Sequence, residues 1–245
     1  MFDRTKLRIW GFLLSIFGCC QFIILTTIAI LVYPGGSVKN PSASKYQFFY
    51  NFFSDLGLVQ AINGENNLAS RILFTIALTV VGFTLIFYFL GMPSFFRSEK
   101  ITKWLSIIAS INGSISAIAY IGIGFTPADV YIDWHMIFVY FGFTSLLLTT
   151  ILYTIVIFLS KDFPNFYGWI YLIFSIAQFL YLIILYAGGL LFSSAINSLI
   201  QVIGQKVIVY VEIICFAIQS YGGWQVIKRK GKKTKTQKNL VSLET

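Results

Sequence analysis

Two short segments hold most of the side chains able to do chemistry. Residues 51–57 read Asn-Phe-Phe-Ser-Asp-Leu-Gly and place a hydroxyl, Ser54, beside a carboxyl, Asp55. Residues 126–135 carry Asp129, Asp133 and His135, the chain's only histidine. A histidine at the mouth of a helix, near two or three carboxylates, titrates close to neutral pH. Ser54 as nucleophile, His135 as base and Asp129 or Asp133 as orienter would make a hydrolase or transferase. Asp55, Asp129 and His135 could instead share a divalent metal that keeps one position open for water. One histidine is few for zinc, and no HExxH or GxSxG motif occurs. The favoured reading is that nothing reacts, and the three groups form an outward-facing polar pocket that binds or organises a lipid headgroup or a cation, since buried unpaired carboxylates must share a proton, a cation or a cationic partner. Asn51 and Asn67 are further binding candidates in the same stretch. Asp129, in a Thr-Pro-Ala-Asp turn, can also hold local backbone, as turn aspartates do.

Gln205, Glu212 and Gln219 are spaced by seven and fall close to one helix face. Lys206 lies about 9 Å along that helix from Glu212. With Lys206 snorkelling at the outer boundary, Glu212 sits within the apolar layer. A carboxylate there marks a functional site by default, facing the bundle interior. Gln178, Tyr210 and Gln21 are its candidate hydrogen-bond partners. A small-solute or ion transporter using Glu212 is therefore a further alternative. Against it, the chain shows no inverted repeat and no pair of glycine- or proline-broken spans. Cys19, Cys20 and Cys215 lie in apolar runs without metal-ligand spacing and read as packing residues.

Elements to position these groups follow from composition. Of 245 residues, 57% are hydrophobic and only 11% charged, where a soluble domain has about 25% charged. That excludes a water-soluble enzyme. Six apolar runs are long enough to cross a bilayer as helix: 9–33, 72–90, 101–125, 136–159, 166–192 and 207–227. The runs are continuous rather than alternating, which argues against a barrel. The expected fold is an all-α, polytopic bundle of six transmembrane helices followed by a basic tail, 228–245.

Lysine and arginine set the orientation. Of the 18 basic residues, only Lys39, Lys45, Arg71 and Lys206 fall on one side of the six-span layout. The rest flank the other side, which places both termini in the cytoplasm, as an even number of spans requires. Topology thus accounts for the net charge of +9, and no nucleic-acid partner is expected. The tail suits anionic headgroups, at about 1 kcal/mol for each basic residue near such a surface. Membrane lipids are the expected partners and the cell membrane the expected location. The sequence does not specify an oligomeric state.

The connection between the first two runs is unusually aromatic. Tyr46 to Phe53 includes six aromatics in eight residues, a composition for the membrane interface or for a loop dipping between helices. Asp55 within it is costly unless paired. Asn66 or Asn67 suits the cap of the following helix. In the third run, Ser106, Ser110 and Ser114 alternate with Ala109, Gly113 and Ala117, rows that let helices approach closely.

Residues 51–57, with Gly64 to Asn67, Ser70 to Phe74 and Gly82, resemble the signature of domain-of-unknown-function family 998. Gly124 to Asp129 followed by His135 is similar to that family's Pro-x-Asp…His element, and the Tyr33-Pro34 exit fits as well. The resemblance implies a six-helix membrane protein of a family without an assigned activity. It marks Asn51, Ser54, Asp55, Gly57, Asn67, Pro127, Asp129 and His135. The layout is also similar to the Frag/DRAM/Sfk group, whose members are linked to lipid remodelling and organisation.

Overall fold

The computed structural model describes the backbone of residues 4–241 and the side chains of residues 5–231. The side chains of Lys232, Lys233, Lys235 and Lys238, expected to meet headgroups, lie outside the described residues. Six α-helices follow in order: α1 Arg4–Val32, α2 Leu68–Gly91, α3 Lys100–Phe125, α4 Ile132–Leu159, α5 Asn165–Leu191 and α6 Ser194–Val241. Short 3-10 helices occur at Phe53–Gly57 and Met92–Phe95. No strand forms among the described residues; one isolated bridge joins Gln60 and Asn66. All six helices are long and apolar enough to cross a membrane, as in a multi-pass membrane protein.

Helix ends follow the prolines. Pro34, Pro93, Pro127 and Pro164 each stand at a helix boundary, where a missing N–H and a fixed φ do least harm. Leu68 N–H at the start of α2 is taken by the Asn66 side chain at 2.9 Å, while Asn67 occupies the cap position without a side-chain cap bond. The sixth helix begins at Ser194, well before the apolar run at 207, and continues through the basic stretch to Val241.

Each helix packs on its neighbours in sequence, and α1 closes the ring against α6. The bundle therefore has two ends. One carries both termini and the α2–α3 and α4–α5 turns. The other, the cap end, carries the long α1–α2 connection and the α3–α4 and α5–α6 turns. The small-residue face of α3 does bring backbones together. A Cβ on Gly113 would lie 2.4 Å from the Phe89 ring, and one on Gly82 2.7 Å from Ala117 O. Ser110 Oγ donates to Phe89 O at 2.5 Å, fastening α3 to α2.

Towards the termini the interior is filled with rings. Phe216 packs edge-on against Tyr88 and Phe89 at 5.5 and 5.6 Å, and Tyr153 stacks on Tyr171 at 5.8 Å. Their hydroxyls pair with each other: Tyr88 with Tyr171 at 2.5 Å, and Tyr153 with Ser110 at 2.6 Å. Towards the cap the packing is incomplete, and the candidate site lies there.

Candidate functional site

The α1–α2 connection folds back onto the helix ends as a cap. It leaves α1 through Gly35 and Gly36, at φ +135° and +82°, which a side chain would strain. Asn51, fully buried, is its hub. Its Nδ2 donates to Gly36 O at 2.8 Å and to Asp55 Oδ2 at 2.9 Å, while Oδ1 accepts from Gln47 N–H at 2.8 Å. Asp55 Oδ2 also accepts from Phe52 N–H at 2.9 Å, so the carboxyl closes the turn that starts the 3-10 helix. Loss of water pushes the Asp55 carboxyl up to about 6, against the opposing pull of Asn51, Phe52 N–H and the Lys206 charge.

Three further residues hold the cap down. Asn67 Nδ2 donates to Leu56 O and Leu58 O at 3.1 and 2.9 Å. Asp129 crosses from the α3–α4 turn and accepts Val59 N–H at 2.9 Å and Gln60 N–H at 3.0 Å. Lys206 does not snorkel to water, being only 1% exposed. Its ammonium donates to the carbonyls of Asn51 and Val202, under the rings of Tyr46 and Phe48. Asn51, Asp55, Asn67, Asp129 and Lys206 therefore shape the cap.

The cap delivers Phe53 and Ser54 into the mouth of the ring. Phe53 packs on Phe22, Phe74 and Tyr210 at 5.7–6.0 Å, and its N–H donates to Gln205 Oε1 at 2.8 Å. Beneath lies an internal cavity of about 50 Å³, room for roughly three to five waters. Its walls are mostly apolar, including Phe22, Phe74, Leu78, Val81 and Phe143. Ser54, Tyr120, His135, Gln205 and Glu212 bring polar groups to the same space.

His135 is 4% exposed, with Nδ1 2.7 Å from Thr126 O. A carbonyl can only accept, so Nδ1 carries the proton, and in the neutral ring Nε2 remains a bare acceptor. Glu212 Oε2 accepts from Tyr120 OH at 2.9 Å. The partners considered from sequence, Gln178, Tyr210 and Gln21, are not its partners; Gln178 donates to Phe143 O and Gln21 to Ala77 O.

The expected association of Asp55, Asp129 and His135 does not form. Asp55 and Asp129 hold backbone N–H groups of the cap, and neither lines the cavity with His135. Among the described residues, no group of three or more His, Cys, Asp or Glu is placed to hold a metal ion. Ser54 and His135 do share the cavity, and Glu212 joins them from α6. Tyr120 is the residue that sequence reasoning missed. Its one signal is position: it follows Gly113 and Ala117 on the inward face of α3.

At the rim of the cap a separate open groove of about 580 Å³ runs beside the start of α6. Lys39, Phe49, Tyr50, Ser198 and Leu199 are among the residues lining it. Lys39 Nζ donates to Tyr50 OH at 3.2 Å.

No family model matches the chain, and neither does any curated protein or solved structure. The likeness to family 998 thus rests on the residues quoted for it alone.

Proposed function

We propose that this chain is a multi-pass membrane protein, with both termini in the cytoplasm, that binds the polar end of a small amphipathic molecule or a cation in its cap-end cavity. Insertion is supported by the apolar outer surface and by exposed Trp10, Trp104 and Trp169 near the termini end and Trp134 at the cap end. Orientation is supported by Arg97, Lys100, Lys103, Lys161 and Lys228 around the termini end. The cavity then lies in the outer-leaflet half of the bundle, and the rim groove with Lys39 offers a neighbouring seat for an anionic headgroup.

One observation carries the binding role: Ser54, His135 and Glu212, from three separate elements, line one mostly apolar cavity. Apolar walls with a few convergent polar groups are the usual form of a small-molecule site. The test is to extract purified protein with solvent and identify bound small molecules by mass spectrometry. The reading expects a near-stoichiometric amphiphile or amine that disappears when Val139→Phe or Leu78→Phe fills the cavity. Its absence from wild type, or equal recovery from both filled variants, would overturn the reading.

A second reading, a lipid hydrolase or transferase, has one observation in its favour. Ser54 and His135 line the same cavity, with Thr126 O on Nδ1 in the orienting place expected for Asp129. Reconstituted protein that turns over outer-leaflet lipid, with turnover abolished by Ser54→Ala, would establish it.

A further inference from the structure

Three features of the cavity restrict what its polar end can be. First, the polar residues lining it include one carboxyl, Glu212, and a histidine whose Nδ1–H is spent on Thr126 O, beside Ser54, Tyr120 and Gln205, which can donate as well as accept. Second, the lining contains no Lys or Arg. Lys206, on the same helix as Glu212, is turned into the cap and held by Asn51 O and Val202 O. A carboxylate enclosed without a counter-charge is costly, so an ionised Glu212 calls for a cation brought from outside. Third, the walls carry aromatic rings, Phe22, Phe53, Phe74, Tyr120 and Phe143, and such rings favour an organic cation.

We infer that the cavity is a site for a primary ammonium group carried on a short apolar stem. Its N–H donors suit the carboxyl of Glu212 and the Nε2 acceptor of His135, and its positive charge balances Glu212 once that carboxyl is ionised. A cavity of about 50 Å³ has room for a small head. An inorganic cation such as calcium wants about six or more oxygen ligands, which Glu212, Ser54 and Tyr120 do not supply. An anion would find no Lys or Arg in the lining to balance its charge. The inference rests on the ligand-binding role proposed above and names its chemical class.

The test uses the full chain in lipid nanodiscs and three probes of matched size: n-propylamine, n-propanol and propionate. Binding is read by calorimetry and by the side-chain NMR signal of the single histidine. The inference expects propylamine, protonated at neutral pH, to bind at least tenfold more tightly than propanol, and propionate not to bind. Glu212→Gln is expected to erase that tenfold preference, and Glu212→Asp to retain part of it. Size-exclusion profiles check that both variants are folded. Equal binding of propylamine and propanol, or a preference untouched by both variants, would overturn the ammonium assignment while leaving the cavity as a ligand site. Binding by none of the three probes, with the histidine signal unmoved, would overturn the assignment and the ligand-site reading together.

Discussion

The two halves of the bundle interior are built from the same helices and behave as opposites. Toward the termini, Phe216, Tyr88, Phe89, Tyr153 and Tyr171 fill the ring, and the tyrosine hydroxyls find partners among themselves and Ser110. Toward the cap, the ring is left partly hollow, and Ser54, His135 and Glu212 are among the residues lining the hollow. A polar group satisfied by a packed neighbour adds to stability and uniqueness of the fold. A polar group turned to an enclosed space is available to something else. Stability is expected to depend on the first half and the proposed binding on the second, a division that mutation can break.

The largest effect is expected in the packed half. Phe216→Ala, at the centre of the plug, should lower stability by about 3–5 kcal/mol, read as loss of the folded fraction in detergent-denaturation curves. An unchanged curve would mean that the plug is not tightly packed.

Next comes the cap, through pH. Asp55 has its carboxyl raised from an ordinary 3.8 to about 6 by burial. A folded-state value above the unfolded one means the stabilising contribution is complete below about pH 4 and is lost as pH rises through about 6. The span corresponds to about 3 kcal/mol at most. Unfolding midpoints measured from pH 4 to pH 7 should fall, and Asp55→Asn should flatten the slope. A midpoint that rises over this range would contradict the burial of Asp55 described above.

Asp129→Ala is expected to cost about 0.5–1.5 kcal/mol, because two exposed cap N–H groups exchange their acceptor for water. Amide exchange at Val59 and Gln60 should accelerate most, and a uniform acceleration across the chain would point to a different role. The smallest effect belongs to the hollow half. Ser54→Ala should change stability by no more than about 0.5 kcal/mol, since Ser54 supports nothing in the packed structure. A large loss there would move Ser54 from the ligand to the scaffold.

Much of the scaffold was legible because lipid-length helices announce themselves. Continuous apolar runs bounded by Pro34, Pro93, Pro127 and Pro164 leave little choice of secondary structure. The start of α6 was not legible. Residues 194–206 include Ser194, Asn197, Ser198, Gln201 and Lys206, too polar to read as a span, yet they continue one helix. Gln201 bonds Asn197 within that turn, and Lys206 anchors the cap, so tertiary and local polar contacts replace apolar burial.

The site was half legible, for a related reason. Residue type singled out Ser54, Asp55, Asp129, His135 and Glu212, but type does not say which way a carboxyl turns. Asp55 and Asp129 each met backbone N–H groups closer at hand than any imidazole. Glu212 stood out as a carboxyl in an apolar run, whereas Tyr120 is one of 14 tyrosines and nothing in its neighbourhood marks it as the donor to Glu212.

The single histidine makes the central claim directly measurable. Nitrogen-15 NMR of histidine-labelled protein in nanodiscs distinguishes the two neutral tautomers. The account predicts a proton on Nδ1, held by Thr126 O, and a bare Nε2 whose shift moves when Glu212→Gln changes the far wall of the same cavity. A proton on Nε2, or an Nε2 signal indifferent to Glu212→Gln, would contradict a shared cavity.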